Sequence, residues 1–97
     1  MLIAFAVARR WPDALSNALE PGWVATRMGG AGAPDDLDQG RRTQIWLAVS
    51  DEPEARVSGK YFRYKRERAP DPQTNAPEWQ DRLIADCERL SGVALPD

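Results

Sequence analysis

The apolar positions of this chain fall into five groups separated by proline, glycine and charged breaks. The first runs from Met1 to Trp11 and carries Leu2, Ile3, Phe5 and Val7, with Pro12 behind it. Ala, Leu, Met and Arg favour helix and the proline stops it, so a helix is predicted over 1–11. Its apolar side chains cover all sides, the pattern of a helix buried against several neighbours. Leu15 and Leu19 then lie between the breaks Pro12-Asp13 and Pro21-Gly22. That leaves room for a short strand over 14–20, although Ala, Ser and Asn are poor strand formers. Asp35 and Asp36 open a third segment and suit a helix N-terminus, as caps and against the helix dipole. Leu37, Gln44, Ile45 and Ala48 keep one face, Trp46, Leu47 and Val49 broaden it, and Ser50-Asp51-Glu52-Pro53 ends it. A helix is predicted over 35–50, with Gly40 a mild interior cost. Residues 57–65 predict a strand with aromatic content. Arg66 to Pro77 predicts a loop without regular structure, because of Pro70, Pro72 and Pro77. From Pro77 to Leu90 the residues Trp79, Leu83, Ile84, Cys87 and Leu90 form the clearest amphipathic stripe, a helix over 77–90. Pro77 suits a first helical position and Gly92 a C-terminal cap.

Composition narrows the classes. Ninety-seven residues suggest one domain at most, and the 42% hydrophobic and 29% charged fractions are ordinary for a soluble protein. A net charge of −2 argues against bulk attraction to nucleic acid or anionic membranes, so neither is expected as a partner. The longest apolar run, Met1 to Ala8, is far short of the roughly 20 residues of a membrane span. No basic residue precedes it, as a secretory leader would require. The single Cys87 makes no internal disulfide, so a reducing, cytoplasmic setting is expected. With no histidine, one cysteine and no carboxylate cluster at a ligand spacing, no metal site is expected, and a thiol nucleophile would lack its base. Cys87 lies on the apolar stripe and reads as a core residue.

The most informative stretch is Glu20-Pro21-Gly22-Trp23-Val24-Ala25-Thr26-Arg27-Met28. An apolar run ends in a Pro-Gly turn, a glycine-rich segment follows (Gly29, Gly30, Gly32, Pro34), and a helix opens on Asp35-Asp36. Strand, turn, loop and helix in that order is how open α/β sheets hold ligands beyond the carboxyl ends of their strands. The run Ser16-Asn17-Ala18-Leu19-Glu20-Pro21-Gly22-Trp23-Val24-x-Thr26 resembles the Pro-Gly motif of the short-chain dehydrogenase/reductase family. Ala6-Val7-Ala8-Arg9-Arg10-Trp11-Pro12 resembles the end of the helix before that strand. Ser58-Gly59-Lys60-Tyr61-Phe62 resembles the start of the last core strand in retinol-dehydrogenase-like members. The resemblance covers nearly the whole chain, but only the C-terminal part of a family domain. It implies an α/β fold, a C-terminal βαβα fragment of a Rossmann-like doubly wound parallel sheet, and it supplies the main reason to read 14–20 as a strand.

In that family, backbone groups around the positions matching Pro21, Gly22 and Val24 contact the nicotinamide end of the cofactor, and the hydroxyl matching Thr26 helps to hold it. The resemblance thus implies a cofactor-binding set of Pro21, Gly22, Trp23, Val24 and Thr26 for NAD or NADP. Met28, Gly29 and Gly30 would belong to a substrate-side loop. A carboxamide needs one backbone donor and one acceptor fixed by a rigid turn, which a Pro-Gly pair provides.

Three further strings are weaker. Tyr61-Phe62-Arg63-Tyr64-Lys65 spells the family's Tyr-x-x-x-Lys, but on a predicted strand after the Pro-Gly motif rather than on the helix before it. On an extended strand the two side chains would stand roughly 13 Å apart, too far for the lysine to activate the phenol. Gly30-x-Gly32-x-x-Asp35 lacks the third glycine of a dinucleotide fingerprint; the resemblance implies part of a substrate-side loop, and a flexible connector is the equal alternative. Lys60, Arg63, Lys65, Arg66 and Arg68, interleaved with Tyr61, Phe62 and Tyr64, could bind single-stranded nucleic acid. A strand with inward aromatics and solvated charges is the expectation instead. No catalytic residue is expected within these 97 residues. The reading is a truncated short-chain dehydrogenase/reductase that keeps the nicotinamide-side turn and does not catalyse hydride transfer by itself. The alternative is a piece that self-associates or complements another chain, because a two-stranded parallel sheet has unpaired edges.

Overall fold

The protein is described here by a computed structural model covering residues 1–96. Helix α1 spans Leu2–Arg10, strand β1 Ala18–Leu19, helix α2 Leu37–Val49, strand β2 Tyr61–Arg63, strand β3 Arg66–Arg68 and helix α3 Pro77–Ser91. A 3-10 turn, Pro72–Asn75, precedes α3. β1 and β2 are parallel and joined through α2, and β3 lies antiparallel against β2. This is an α/β arrangement, a piece of a Rossmann-like sheet with one added antiparallel strand.

The helices follow their end signals. The Asp36 carboxylate accepts the Asp38 amide and caps α2. Pro77 opens α3, and Gly92, at φ 73°, closes it with its N–H on the Glu88 carbonyl at 2.8 Å. Trp46 and Phe62 meet edge to face at 5.8 Å and form the core between α2 and β2 with Ala55, Leu19, Leu47 and Val57. Trp46 Nε1 donates to Glu52 Oε2 at 2.8 Å, so the indole is buried with its polar atom satisfied. A second cluster, with Phe5, Ala6 and Ile84 buried, lies between α1 and α3. There Gln80, 3% exposed, accepts from Arg9 Nε and donates to the Thr74 carbonyl. Asp81 receives Arg9 at 2.5 Å and Arg10 at 3.1 Å, fastening α3 to α1.

The strand expected over 14–20 is regular only at Ala18–Leu19. Upstream of it one backbone rung remains, from the Gly59 N–H to the Ser16 carbonyl at 2.7 Å, and side chains supply the other ties. Ser16 N–H donates to Ser58 Oγ, Asn17 Oδ1 accepts the Lys60 N–H, and Asn17 Nδ2 donates to the Val57 carbonyl. These short polar side chains bond to backbone where a strand would bond backbone to backbone. The strand expected over 57–65 is likewise confined to Tyr61–Arg63, because Gly59, at φ 73°, interrupts the extended chain before it.

The expectation of an irregular 66–77 segment is corrected. Tyr64 and Lys65, both at positive φ (50° and 64°), form a two-residue turn between the paired Arg63 and Arg66. That is the signature of a type I′ hairpin, which usually carries Asn-Gly. Tyr61 and Lys65 are therefore not the two ends of one strand: Tyr61 is on β2 and Lys65 is in its turn. The Lys65 N–H donates to Thr43 Oγ1 at 3.1 Å, pinning the hairpin to α2 through a residue only 1% exposed.

Cys87 is exposed, not a core residue, and Leu90 is 76% exposed. The stripe of α3 is wider than the surface that α1 offers it. Trp79 is also exposed, with the Arg82 guanidinium 5.6 Å from its ring centre. Ile3, on the helix expected to be buried all round, is 55% exposed.

The turn conformation carries a cost that glycine would not. Lys65→Gly should raise stability by about 0.5–1 kcal/mol, read as a rise of a few degrees in Tm. An unchanged or lower Tm would show that the Lys65 side chain contributes more than its backbone costs.

Candidate functional site

The Pro-Gly turn stands at the carboxyl end of β1, beside the carboxyl end of β2. The Glu20 N–H donates to the Phe62 carbonyl at 2.8 Å, the last rung before the chain leaves the sheet. Gly22 then adopts φ 90°. Only glycine fits there for a second reason: a Cβ on it would stand 2.8 Å from Asp35 Oδ2. The Gly22 N–H is taken by Glu20 Oε1 at 2.8 Å.

Helix α2 approaches the back of this turn at Gly40. A Cβ at Gly40 would lie 2.8 Å from the Pro21 carbonyl oxygen. The glycine that looks like an interior fault of α2 is what lets the helix and the turn touch. Sequence reasoning saw its cost and missed its use, and a lone glycine inside an otherwise good helix was the available signal.

Beyond the turn, residues 23–35 close on themselves. Asp35 N–H donates to the Trp23 carbonyl at 3.0 Å, and Trp23 N–H donates to Asp35 Oδ2 at 2.6 Å. Between these ends, Trp23 Nε1 reaches the Gly29 carbonyl at 2.8 Å, and the Gly29 N–H donates to Thr26 Oγ1 at 3.1 Å. The result is a compact surface loop whose ends are held together by a carboxylate. Sequence reasoning took Asp35 as a helix cap, but Asp36 alone caps α2. Asp35 instead faces the turn, and Arg63 Nη2 donates to its Oδ1 at 3.0 Å. The Arg63 guanidinium lies 5.1 Å from the Tyr64 ring centre.

The electrostatics follow from these contacts. The Trp23 N–H holds the Asp35 carboxyl below its ordinary value, partial burial opposes this, and the Arg63 charge and the Tyr64 and Arg63 hydrogen bonds reinforce it. Arg63 is pushed up, first by its hydrogen bond with Tyr64 and then by the charge of Asp35.

Gly22, Trp23, Val24, Thr26, Met28 and Gly29 line one open pocket of about 310 Å³. Six of the eight residues singled out in the sequence therefore come together. Pro21 does not line the pocket and turns its carbonyl toward Gly40; Gly30 also lies outside it. Met28 is 99% exposed at the rim. The pocket's size is at the lower end for a small-molecule site. It suits a ring bearing a carboxamide rather than a whole dinucleotide. Thr26 Oγ1 already accepts from Gly29 and keeps its own hydrogen to donate, and Gly22 and Gly29 allow close approach. The donor set thus fits the nicotinamide end of the cofactor. The other large cavity, about 340 Å³, is an apolar groove of Ile3, Val7, Ile84, Cys87, Val93 and Leu95 between α1, α3 and the chain end. Among the described residues no group of acidic, cysteine or histidine side chains could hold a metal ion, and no helix is long and apolar enough to cross a membrane.

Comparison with known proteins finds relatives by sequence. Over 99% of its length the chain is 36% identical to the short-chain dehydrogenase chyC of Penicillium rubens and 36% identical to the short-chain dehydrogenase chry4 of Gibberella zeae. It is 34% identical, again over 99% of its length, to an uncharacterized oxidoreductase of Emericella nidulans. The chain spans 37%, 37% and 38% of these three relatives, a little over a third of their length. No family model matches, and no solved structure matches. The chain is related to the short-chain dehydrogenases, corresponding to a C-terminal portion of their fold.

Two outcomes follow. Gly40→Ala gains about 1 kcal/mol of helix propensity. It also forces a backbone contact apart, which costs about 1–3 kcal/mol. The variant should be net less stable in urea melts, whereas the same exchange on an open helix face would stabilise. The second outcome concerns pH. Asp35 titrates lower in the folded chain than its unfolded value of 3.8, so its contribution is complete above that value and disappears as pH falls through the folded one. The stability difference between the wild-type chain and Asp35→Asn should be constant well above 3.8 and shrink as pH falls below it. Asp81, lowered by Arg9 and Arg10, titrates in the same window and is common to both chains, so it cancels in the difference. A difference that grew on acidification would contradict the assignment.

Proposed function

We propose that these residues form the nicotinamide-side part of an NAD(P)-dependent short-chain oxidoreductase, and that they do not transfer hydride by themselves. The observation that carries the reading is the rigid Pro-Gly turn at the carboxyl end of a parallel strand, opening on a pocket with a free hydroxyl and two glycines. The relatives named short-chain dehydrogenase support it. Bound there, the cofactor would supply the hydride acceptor or donor. Gly22, Trp23 and Val24 would border the carboxamide, Thr26 would give it a hydroxyl, and Met28 with Gly29 would form a wall on the substrate side.

What the 97 residues lack decides the second half of the proposal. Proton exchange with an alcohol or carbonyl needs a positioned acid–base group within hydrogen-bond reach. The Tyr61 and Lys65 pair is divided between a strand and its turn, so the string that spells the family's motif does not make that group. In this reading the Tyr-x-x-x-Lys helix and the dinucleotide glycines are supplied by chain outside these residues, in a setting we propose to be cytoplasmic.

A second reading, a segment that associates with itself or with a complementing chain, is favoured by specific exposures. β1 pairs only with β2 among the described residues, leaving its other edge open. Ile3, Leu90 and Val93 are 55%, 76% and 69% exposed. A molecular mass that rises with concentration would support this reading.

Titration with NADPH and NADH, following tryptophan emission, tests the first. The account predicts a saturable change that disappears in Trp23→Phe. It also predicts binding weakened about tenfold or more, some 1.4 kcal/mol, by Thr26→Ala and Gly22→Val. No response from a chain shown to be folded would contradict it.

A further inference from the structure

The Asp35 side chain is held as a ligand would be. One oxygen takes a backbone N–H at 2.6 Å and the other takes a guanidinium at 3.0 Å. Two charge-assisted donors, one on each oxygen, make a strong and directional way to hold a carboxylate. Both donors are placed by other parts of the fold. The Trp23 amide is positioned by the Pro-Gly turn, and Arg63 by the end of β2 and by the Tyr64 ring beneath its guanidinium. Arg66, directly across the hairpin from Arg63, adds a second positive charge. The negative groups at the turn are Asp35 itself and Glu20, which is engaged by the Gly22 N–H. The arrangement is open to solvent, since the Arg63 side chain is 35% exposed. It adjoins the pocket, because Gly22 and Trp23 line the pocket and also face Asp35.

We infer that the Trp23 N–H and the Arg63 guanidinium form a seat for one carboxylate group, filled in this structure by the chain's own Asp35, and that the ligand it takes in exchange is a substrate bearing a carboxylate. The seat stands on its geometry; its use by a substrate rests on the cofactor-turn reading above. The exchange follows from competition. An internal carboxylate acts at a high effective concentration, so an external one binds weakly until Asp35 withdraws. Withdrawal of the Asp35 side chain leaves the loop 24–34 tied at its far end by the Asp35 N–H to Trp23 carbonyl bond, and clears the space beside Gly22 that the carboxylate fills.

The test is chemical replacement of the side chain in the 97-residue chain without cofactor. Asp35→Ala is titrated with sodium acetate, against sodium chloride at equal ionic strength, following Tm and Trp23 emission. A ligand that binds only the folded chain raises Tm in a saturable way. The expected result is an acetate-specific rise in Asp35→Ala that is at least tenfold weaker in the wild-type chain. It should be lost in the double variant Asp35→Ala, Arg63→Gln. Acetate acting no differently from chloride on folded Asp35→Ala, or acting equally on the double variant, would overturn the proposal. If Asp35→Ala is unfolded in buffer, recovery of the fold in acetate supports the seat. Continued unfolding, with a folded Asp35→Ser that ignores acetate, refutes it. No cofactor enters this readout. A chain that takes acetate but not NADPH therefore keeps the seat and loses the cofactor reading, and the converse result does the reverse.

Discussion

A single carboxylate joins three parts of this fold. Asp35 sits at the end of the surface loop, and its two oxygens reach back to the amide that follows the Pro-Gly turn and across to the last residue of β2. Without those bonds the Trp23 N–H would point at solvent. The loop would be tied only by one backbone hydrogen bond, and Arg63 would face Arg66 across a tight hairpin without a counter-ion. Like charges directly opposite on neighbouring strands are destabilising. The surrounding design accommodates this carboxylate. Gly22 has no side chain to collide with it, and Gly40 lets α2 press on the turn from behind.

The dependence is sharper because the apolar cores are small. One, around Trp46 and Phe62, joins α2 to the sheet, and the other joins α1 to α3. The β1–β2 pairing is two residues long and is extended by Ser16 and Asn17 side chains. Parallel sheets normally have neighbours at both edges and helices on both faces. A chain spanning a little over a third of its relatives presents only part of that environment. The polar ties, Asp35 to Arg63 and Asp81 to Arg9 and Arg10, therefore carry a larger share of the order than they would in a thicker molecule.

Much of this was legible in the sequence, but unevenly. Helices α2 and α3 could be read from end chemistry, because Asp36, Pro77 and Gly92 act within one turn of their own positions. The Pro-Gly turn was legible for the same reason. What escaped depends on contacts across sequence distance. The Tyr64-Lys65 turn carries none of the usual residues, and a buried threonine on α2 holds it in place. Gly40 makes sense only once Pro21 stands beside it. Asp35 was assigned to the helix it precedes, and nothing local shows that it turns away from that helix toward a strand. Cys87 and Leu90 have the periodicity of a buried stripe, yet Leu90 is exposed and Cys87 borders an open groove that Ile3 and Val7 of α1 share without filling.

Native-state hydrogen exchange at the Trp23 amide tests the central claim most directly. If the Asp35 carboxylate clasps the turn, this amide, though on a residue 60% exposed, exchanges far more slowly than a free peptide amide, yet faster than the Ala18 and Glu20 amides that bond across to β2, because Asp35 can withdraw without the fold opening. Exchange at the rate of a free peptide, with those strand amides still protected, would mean that the clasp is not closed in solution and that the turn is not preorganised.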